Sequence, residues 1–306
     1  MTPSPARITA VVVTFHPDVD ALDRLVKALA PQVHAIVVVD NTPSGAGGAR
    51  SDLANTEVVR LGVNRGLAGG LNRGCEWALR NGAAFALMFD QDSVPAGDMV
   101  ERLCEAWRDA ATKNWRIAAA GPQFEDERGG HPPSFLRVGF PRNRPVEASP
   151  SDTFVETDVL ITSGCLVSLA AYADAGGMDE TLFIDNVDIE WGFRARAAGW
   201  RLIGAPHARL AHRIGDDHVP APAWLHWLRR KQIIRHGPAR LYYIMRNRVL
   251  LYWMPHVPMA WKAQDFLRLP GKLVLSVSVA GERWASARAL MRGLLHGLTG
   301  RRGPIA

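Results

Sequence analysis

Along the first 121 residues, short apolar runs alternate with segments in which apolar residues recur at helical spacing. Short runs of β-branched and apolar residues predict buried strands, and apolar residues three and four positions apart predict amphipathic helices. The predicted strands are Ile8–Phe15, Ala35–Val39, Thr56–Leu61, Phe85–Phe89 and Ile117–Gly121. The predicted helices are Ala21–Ala30, Leu67–Leu79 and Met99–Ala111. Strands that alternate with helices indicate an α/β fold with a parallel sheet and right-handed crossovers.

The pattern changes after residue 121. Gln123–Asp158 is irregular and rich in proline, and its length predicts a functional insertion or a lid. Order resumes at Val159–Gly164, followed by a short helix or strand–helix junction over Leu166–Ala175 and a helix over Asp188–Ala198. From Trp224 onward the chain predicts helical pieces, and the residues expected to break them are Pro238, Pro255, Pro258 and Pro270.

The composition is that of a folded protein. The chain has 306 residues, of which 47% are hydrophobic, so it can bury a substantial core. Its three cysteines are widely spaced and form neither a disulfide framework nor a metal-ligand pattern, which favours a reducing compartment. We expect no secretory signal and no spanning helix, because no charge-free run of about 20 apolar residues occurs.

Charge divides the chain into two parts. Residues 221–306 carry 15 Lys and Arg against two acids, whereas residues 1–220 carry 21 basic and 28 acidic residues. We therefore predict an acidic domain over 1–220 and a basic, aromatic-rich helical extension over 221–306. Nucleic acid and an anionic membrane surface are the two candidate partners for such an extension. The alternative is a helical subdomain that packs on the acidic domain.

Two carboxylates follow the most apolar predicted strand. Asp90 and Asp92 come directly after Phe85–Phe89, at the strand end where open α/β sheets bind ligands. Carboxylates this close repel each other unless a cation lies beside them. Mg²⁺ or Mn²⁺ would supply that charge and could bridge to a substrate diphosphate. The alternative is a loop with two solvated acids.

Polar residues also follow the second predicted strand and fill a glycine-rich segment. Asp40 and Asn41 end the strand, where an acid can bind a ring N–H or a ribose hydroxyl, or can simply cap a turn. The segment Gly62–Gly74 allows close backbone approach to a sugar or phosphate. It lacks the Gly-Lys-Ser/Thr of a phosphate-binding loop, so tight packing of a helix on the sheet is the alternative.

A third group of acids and one histidine complete the candidate chemistry. Asp185, Asp188 and Glu190 lie at the start of a predicted helix, where acids are favoured by the helix dipole and where one could act as a general base. His212 could complete a metal site with the carboxylate pair, although His207 and His218 show that histidine is common in this region.

Six short motifs carry a family resemblance that spans nearly the whole chain. They are residues 12–15, 38–41, 64–72, 89–93, 184–191 and 211–212. In this order they resemble the inverting, metal-dependent nucleotide-sugar glycosyltransferases of family 2. The GT-A fold of that family is a Rossmann-like mixed sheet flanked by helices. The sequences at 90–93 and 187–191 are more narrowly similar to those of bacterial rhamnosyltransferases that use dTDP-L-rhamnose.

The resemblance implies roles for residues of this chain. Residues 1–121 would bind the nucleotide-sugar and 122–220 the acceptor. The implied nucleotide-sugar contacts are Thr14, Asp40, Asn41, Asn64, Gly66, Asp90 and Gln91. Asp92 and His212 would bind the cation, and Asp188 would be the general base. Ser163, Gly164 and Trp191 would face the acceptor, a glycan or lipid-linked glycan used in surface polysaccharide assembly.

One departure from the family pattern concerns the base. Many relatives have Glu-Asp where this chain has Val187-Asp188, so Asp185 and Glu190 remain alternatives to Asp188. A UDP-hexose or galactofuranosyl donor is the alternative to dTDP-rhamnose. A nucleotidyltransferase is disfavoured because no basic glycine-rich loop follows the first strand. Nucleic-acid binding is disfavoured by the acidic first part. We expect a cytoplasmic protein, peripheral on the inner face of the membrane.

Overall fold

The computed structural model describes residues 2–44, 55–125, 135–211, 217–220 and 232–305. Nine of the described strands form one sheet in the order β3-β2-β1-β4-β10-β6-β11-β5, with β9 beside β11. These strands are β1 (Ile8–Thr14), β2 (Ala35–Pro43), β3 (Thr56–Gly62), β4 (Phe85–Asp90), β5 (Val94–Pro95), β6 (Ile117–Glu125), β9 (Val155–Thr157), β10 (Cys165–Ser168) and β11 (Arg201–Ala211). Two small hairpins are β7 (Leu136–Arg137) with β8 (Arg144–Pro145) and β12 (Asp217–Pro220) with β13 (Gln232–Arg235).

Helices cover both faces of the sheet. In chain order they are α1 (Val19–Leu29), α2 (Gly66–Arg80), α3 (Met99–Ala111), α4 (Leu169–Ala175), α5 (Val187–Ala197), α6 (Pro238–Trp253), α7 (Met259–Val279) and α8 (Arg283–Leu298). Alternate side chains of β1 point to opposite faces, so Val11 and Val13 join the apolar cluster of α2, α4 and α5. Ile8, Ala10 and Val12 join that of α1 and α3. The predicted α/β fold is confirmed.

The sheet is mixed, and this determines where the functional residues meet. Strands β3, β2, β1 and β4 are parallel, so their carboxyl ends lie at one edge. Strand β10 runs antiparallel to β4, with Cys165 opposite Met88, so the residues before β10 approach the end of β4. Sequence periodicity alone indicated a parallel sheet. The antiparallel β10 and the 11-residue strand β11 are visible only in the tertiary structure.

Helix α2 lies close to β1 because its inner face is made of glycine. A Cβ atom on Gly74 would lie 2.1 Å from Cγ1 of Val11, and one on Gly70 would lie 2.6 Å from Cγ1 of Val13. The glycines of the segment therefore serve close helix–sheet packing. Their positions also bring the start of α2 beside the ends of β1 and β2.

The C-terminal helices belong to the extension that we predict over 221–306. Much of 241–253 is buried against the rest of the chain, including Tyr242, Arg246 and Leu250, so this segment fits the packed helical subdomain better than a membrane-facing surface. Pro270 lies inside α7 and does not end it. Residues of α6 share an apolar cluster with the sheet, while the division at residue 220 stays a prediction. No helix in the described ranges has the length and apolar character needed to cross a bilayer.

The glycine face of α2 generates a stability prediction. Gly74→Ala should lower the free energy of unfolding by about 1–3 kcal/mol, because its methyl group would overlap Val11. Gly271→Ala is the matched control, since nothing lies within 4 Å of its Cβ position in α7, and it should stabilise by roughly 0.5–1 kcal/mol. Urea denaturation of both variants measures this difference, and equal effects would contradict the packing role.

Candidate active site

The first part of the site is a buried pair at the ends of β1 and β2. The strand register sets Thr14 opposite Asp40, and Oγ1 of Thr14 donates a hydrogen bond to Oδ1 of Asp40 at 3.2 Å. The backbone N–H of Thr42 donates to the same oxygen at 2.9 Å. Asp40 is only 1% exposed. These contacts fix the carboxylate at the predicted nucleotide edge of the sheet.

The turn before α2 is anchored to β2 by Asn41. Its Nδ2 donates to the carbonyl of Gly66 at 3.0 Å, and its Oδ1 accepts from the backbone N–H of Arg65 at 3.1 Å. Oδ1 of Asn64 accepts from the N–H of Gly66 at 2.8 Å. The side chain of Asn41 therefore forms hydrogen bonds within the protein. These bonds hold the backbone next to the predicted nucleotide contacts Asn64 and Gly66.

The end of β4 brings the carboxylate pair to the same edge. Asp90 is opposite Val13 in the register, and Oε1 of Gln91 accepts from the backbone N–H of Phe15 at 2.8 Å. Asp92 is exposed to solvent. The predicted nucleotide residues on β1, β2 and β4 thus converge, although each belongs to a distant part of the sequence.

The segment before β10 supports this edge from the other side. Oγ of Ser163 accepts a hydrogen bond from the backbone N–H of Asp90 at 3.3 Å and lies 2.5 Å from Oγ of Ser93. Gly164 has a φ of 77°, and a Cβ there would lie 2.6 Å from Pro122. Ser163 and Gly164, predicted acceptor contacts, therefore adjoin the end of β4. Only glycine fits position 164 without strain.

The carboxylates of the β4 turn have the donor chemistry of a magnesium or manganese site. Hard divalent cations bind carboxylate oxygens and phosphate oxygens, and the side chain of Asp92 is exposed to solvent. Within the described ranges no group of three potential ligands forms a complete site by itself. The other predicted ligand, His212, lies outside the described residues. Its neighbour Ala211 pairs with Val94, two residues after Asp92.

Asp188 lies on the first turn of α5, close to the carboxylate of Asp90. Its Oδ2 accepts from the backbone N–H of Thr162 at 3.2 Å, and its Oδ1 from that of Ile189 at 2.8 Å. Burial raises the pKa of Asp188 to about 6; the charge of Asp90 adds to this increase, and the two N–H donors oppose it. A carboxyl group with this pKa suits general-base catalysis near neutral pH.

The two other acids of the cluster have protein partners. Oδ1 of Asp185 lies 3.2 Å from Nε of Arg240 in α6. Glu190 is 2% exposed, and its two carboxylate oxygens each accept from Arg194 at 2.8 Å. Nε2 of His256 lies 2.9 Å from Oε1 of Glu190. These contacts favour a structural role for Glu190 and leave Asp188 as the acid best suited to proton transfer.

Apolar side chains form the floor beneath Asp188. Met88, Cys165, Trp191 and Leu202 line a small cavity there together with the aspartate itself. Trp191 is 3% exposed, and its indole N–H donates to the carbonyl of Gly176 at 2.9 Å. This position favours support of the cleft floor over direct contact with an acceptor. The same apolar floor is what raises the pKa of Asp188.

The structure also identifies residues that sequence reasoning did not select. Thr162 binds the carboxylate of Asp188, and Ser93 binds Ser163. Arg246 and Asn247 of α6 bind the turn that precedes α5. Charged and amide groups inside an otherwise apolar helical stretch were the available signal, because such groups are buried only when they have partners.

Comparison with solved structures agrees with this architecture. Two solved glycosyltransferase structures resemble the chain at low sequence identity. One is "Crystal structure of S. aureus TarS 1-349 in complex with UDP-GlcNAc", with a TM-score of 0.52, 16% identity, and coverage of 95% of this chain and 81% of that chain. Another is "Crystal structure of GalNAc-T7 with UDP, GalNAc and Mn2+", with a TM-score of 0.54, 12% identity, and coverage of 87% and 55%. These matches show the GT-A fold.

Sequence comparison identifies relatives of higher identity than these structures. The chain is 32% identical over 257 residues to the dTDP-rhamnosyl transferase RfbF of Shigella flexneri, covering 83% of this chain and 82% of that protein. It is 27% identical over 199 residues to the N-acetylglucosaminyl-diphospho-decaprenol L-rhamnosyltransferase of Mycobacterium tuberculosis, covering 58% and 61%. The family model described as "Glycosyl transferase family 2" matches residues 10–148. The fold, the converging carboxylates and this similarity together show that the chain belongs to glycosyl transferase family 2.

Proposed function

We propose that this protein transfers L-rhamnose from dTDP-L-rhamnose to a hydroxyl group of a glycan or lipid-linked glycan during surface polysaccharide assembly. The observation that carries the transferase reaction is the position of Asp188, a partly desolvated carboxylate beside the strand ends that hold Asp40, Asp90 and Asp92. The proposed donor rests on the 32% identity to a dTDP-rhamnosyl transferase.

In the proposed reaction Asp188 accepts the proton of the acceptor hydroxyl. The acceptor oxygen then forms a bond to the anomeric carbon while the bond from that carbon to the diphosphate oxygen breaks, which inverts the configuration. Thr14 and Asp40 would hold the pyrimidine, with Asp40 accepting its N3–H, and Asp90 would hold the ribose or the sugar. The backbone N–H groups of Thr162 and Ile189 keep the carboxylate of Asp188 oriented.

The residues at the end of β4 fit a divalent cation. Asp92 and His212 would hold Mg²⁺ or Mn²⁺, which would stabilise the negative charge of the departing dTDP. With that charge stabilised, the reaction requires no general acid from the protein.

A preference for dTDP over UDP is the first testable consequence. Mn²⁺ with dTDP should raise the melting temperature of the wild type, since a ligand at 100 times its Kd stabilises the native state by about 2.7 kcal/mol. Asp92→Ala should lose the Mn²⁺-dependent part of this shift, because it removes a proposed cation ligand. A larger shift with UDP than with dTDP would reject the rhamnosyl donor and favour the UDP-sugar alternative.

The role of Asp188 is tested with dTDP-L-rhamnose and water as the acceptor. Asp188→Asn should lower the rate of dTDP release about 10²- to 10⁴-fold, the usual contribution of a general base, without weakening the dTDP thermal shift. The wild-type rate should rise with pH through about 6, where Asp188 loses its proton. An unchanged rate in Asp188→Asn would show that another residue is the general base.

Stability provides a second readout for Asp188. Because its folded-state pKa of about 6 exceeds the ordinary value of 3.8, the unfolded chain loses this proton first as pH rises. Wild-type stability should therefore fall between about pH 4 and pH 6 on account of this group. Asp188→Asn does not titrate, so its stability relative to the wild type should be about 3 kcal/mol higher at pH 8 than at pH 4.

We also propose that the protein works on the inner face of the cell membrane, in contact with anionic lipid. The support comes from α8, whose inner face packs on α6 through Gly293 and Gly297. Its outer face carries large exposed apolar side chains at helical spacing. They are Trp284 (91% exposed), Met291 (52%), Leu295 (56%) and Leu298 (56%), which we call the α8 stripe.

The charge around the α8 stripe favours lipid over another protein surface. Arg283 and Arg288 are exposed on the same helix, and no acidic residue occurs from 283 to 306. A helix that is apolar on one face and rich in arginine lies at the interface of an anionic bilayer, where apolar burial and charge attraction act together. A lipid-linked acceptor would be presented at this same surface.

Vesicle cosedimentation tests the α8 stripe. The wild type should bind vesicles that contain phosphatidylglycerol more strongly than pure phosphatidylcholine, and salt should weaken this binding. The double variant Trp284→Ser and Leu295→Ser should bind at least about tenfold more weakly, because both side chains would enter the bilayer. Leu79→Ser, an exposed position on α2, is the control. A wild-type dimer dissociated by the double variant, with no lipid binding, would instead identify the stripe as a subunit contact.

A further inference from the structure

The turn that leads into α5 is conformationally strained. Phe183, Asp185 and Asn186 have φ values of 68°, 63° and 61°, in the left-handed region that disfavours residues with a Cβ atom. Each such residue costs about 1–3 kcal/mol unless contacts hold it in place. Because Asn186 is the N-cap residue of α5, this turn sets the direction in which the helix starts and where Asp188 lies.

Two fully buried polar side chains of α6 hold this turn. Nδ2 of Asn247 lies 2.9 Å from the carbonyl oxygen of Leu182, 2.7 Å from that of Ile184 and 2.9 Å from that of Asp185. Nη2 of Arg246 donates to the carbonyl of Leu182 at 2.9 Å. Both residues are 0% exposed. The carbonyl groups of Leu182, Ile184 and Asp185 thus receive hydrogen bonds from α6.

The two side chains also orient each other. Nε and Nη2 of Arg246 donate to Oδ1 of Asn247 at 2.9 and 2.8 Å, which leaves the Asn247 amide N–H groups directed at the turn. Nη1 of Arg246 donates to the carbonyl of Gly303, so the segment after α8 belongs to the same hydrogen-bond network. The guanidinium carbon lies 5.5 and 5.0 Å from the ring centres of Tyr242 and Tyr243.

The opposite side of the turn meets the start of α2. The carbonyl oxygen of Phe183 accepts from the N–H of Ala68 at 3.3 Å, and a Cβ on Gly66 would lie 2.3 Å from that oxygen. The ring of Phe183 stacks on Tyr243 with 5.1 Å between centres. The turn is therefore held between the predicted nucleotide pocket and the C-terminal helices.

We infer that Arg246 and Asn247 are positioning residues for the general base, because they fix the 181–186 turn and thereby direct Asp188 into the cleft. This inference rests on the proposed function for the identity of the base. It assigns the C-terminal extension a role in the transfer reaction that is separate from membrane contact. Loss of the network would leave α5 free to start in another direction and would separate Asp188 from Thr162.

The test compares two substitutions on α6. Asn247→Asp keeps the side-chain shape and the contact with Arg246, but it replaces the amide donor with a carboxylate that repels the turn carbonyls. Arg248→Ala is the control on the same helix, since the guanidinium of Arg248 pairs with Asp265 of α7. Steady-state dTDP release from dTDP-L-rhamnose, with water as the acceptor, gives kcat and KM. Hydrogen exchange of residues 181–190 is measured on the same proteins.

Asn247→Asp should lower kcat about 100-fold, the effect of a displacement of about 1 Å at a reacting group, with the donor KM and the dTDP thermal shift unchanged. It should also accelerate exchange in 181–190. Arg248→Ala should change neither kcat nor this exchange. Equal losses of kcat in both variants, or a parallel loss of donor binding in Asn247→Asp, would reduce the network to a structural role.

The exchange measurement separates this inference from the proposed function. A wild type that releases no dTDP would contradict the proposed donor, yet faster exchange at 181–190 in Asn247→Asp alone would still show that the network holds the turn. Unchanged exchange in both variants would overturn the inference whatever the donor.

Discussion

Electrostatic repulsion among carboxylates brought to one edge of the sheet is the constraint on which the site depends. Asp40, Asp90 and Asp188 come from three separate elements and meet where parallel strands end. Different neighbours hold these residues in place. Thr14 and Thr42 donate hydrogen bonds to the carboxylate of Asp40, and two backbone N–H groups donate to that of Asp188. The backbone N–H of Asp90 donates to Ser163. The same crowding favours a cation and a substrate with N–H and O–H donors.

The second feature of the site is that Asp188 has different surroundings from the nearby acid Glu190. Glu190 is neutralised by the bidentate contact with Arg194, whereas Asp188 lies over an apolar floor and keeps a raised pKa. Two acids two residues apart therefore have different surroundings, because positions about half a turn apart on a helix face different directions. This difference supports the proposal that Asp188 is the reactive carboxylate and that Glu190 is structural.

The proposed roles give the C-terminal helices two functions. Arg246 and Asn247 of α6 bind the turn that leads into α5, and α8 packs on α6 while its own outer face is exposed to solvent. An enzyme that extends a lipid-linked acceptor needs both a fixed base and a fixed distance from the bilayer. A shared helical layer between membrane and cleft would provide both.

The sequence alone determined the order of the longer strands and helices through residue 121, the position of acids at strand ends and the family resemblance, because these depend on local periodicity and short motifs. Met99–Ala111 has the predicted bounds, and Phe85–Asp90 differs by one residue. Only the tertiary structure showed that the apolar segment 241–253 is buried, that Glu190 is paired and that Asn247 holds the turn before Asp188. Burial, pairing and left-handed turns depend on contacts between residues far apart in sequence, so periodicity does not reveal them.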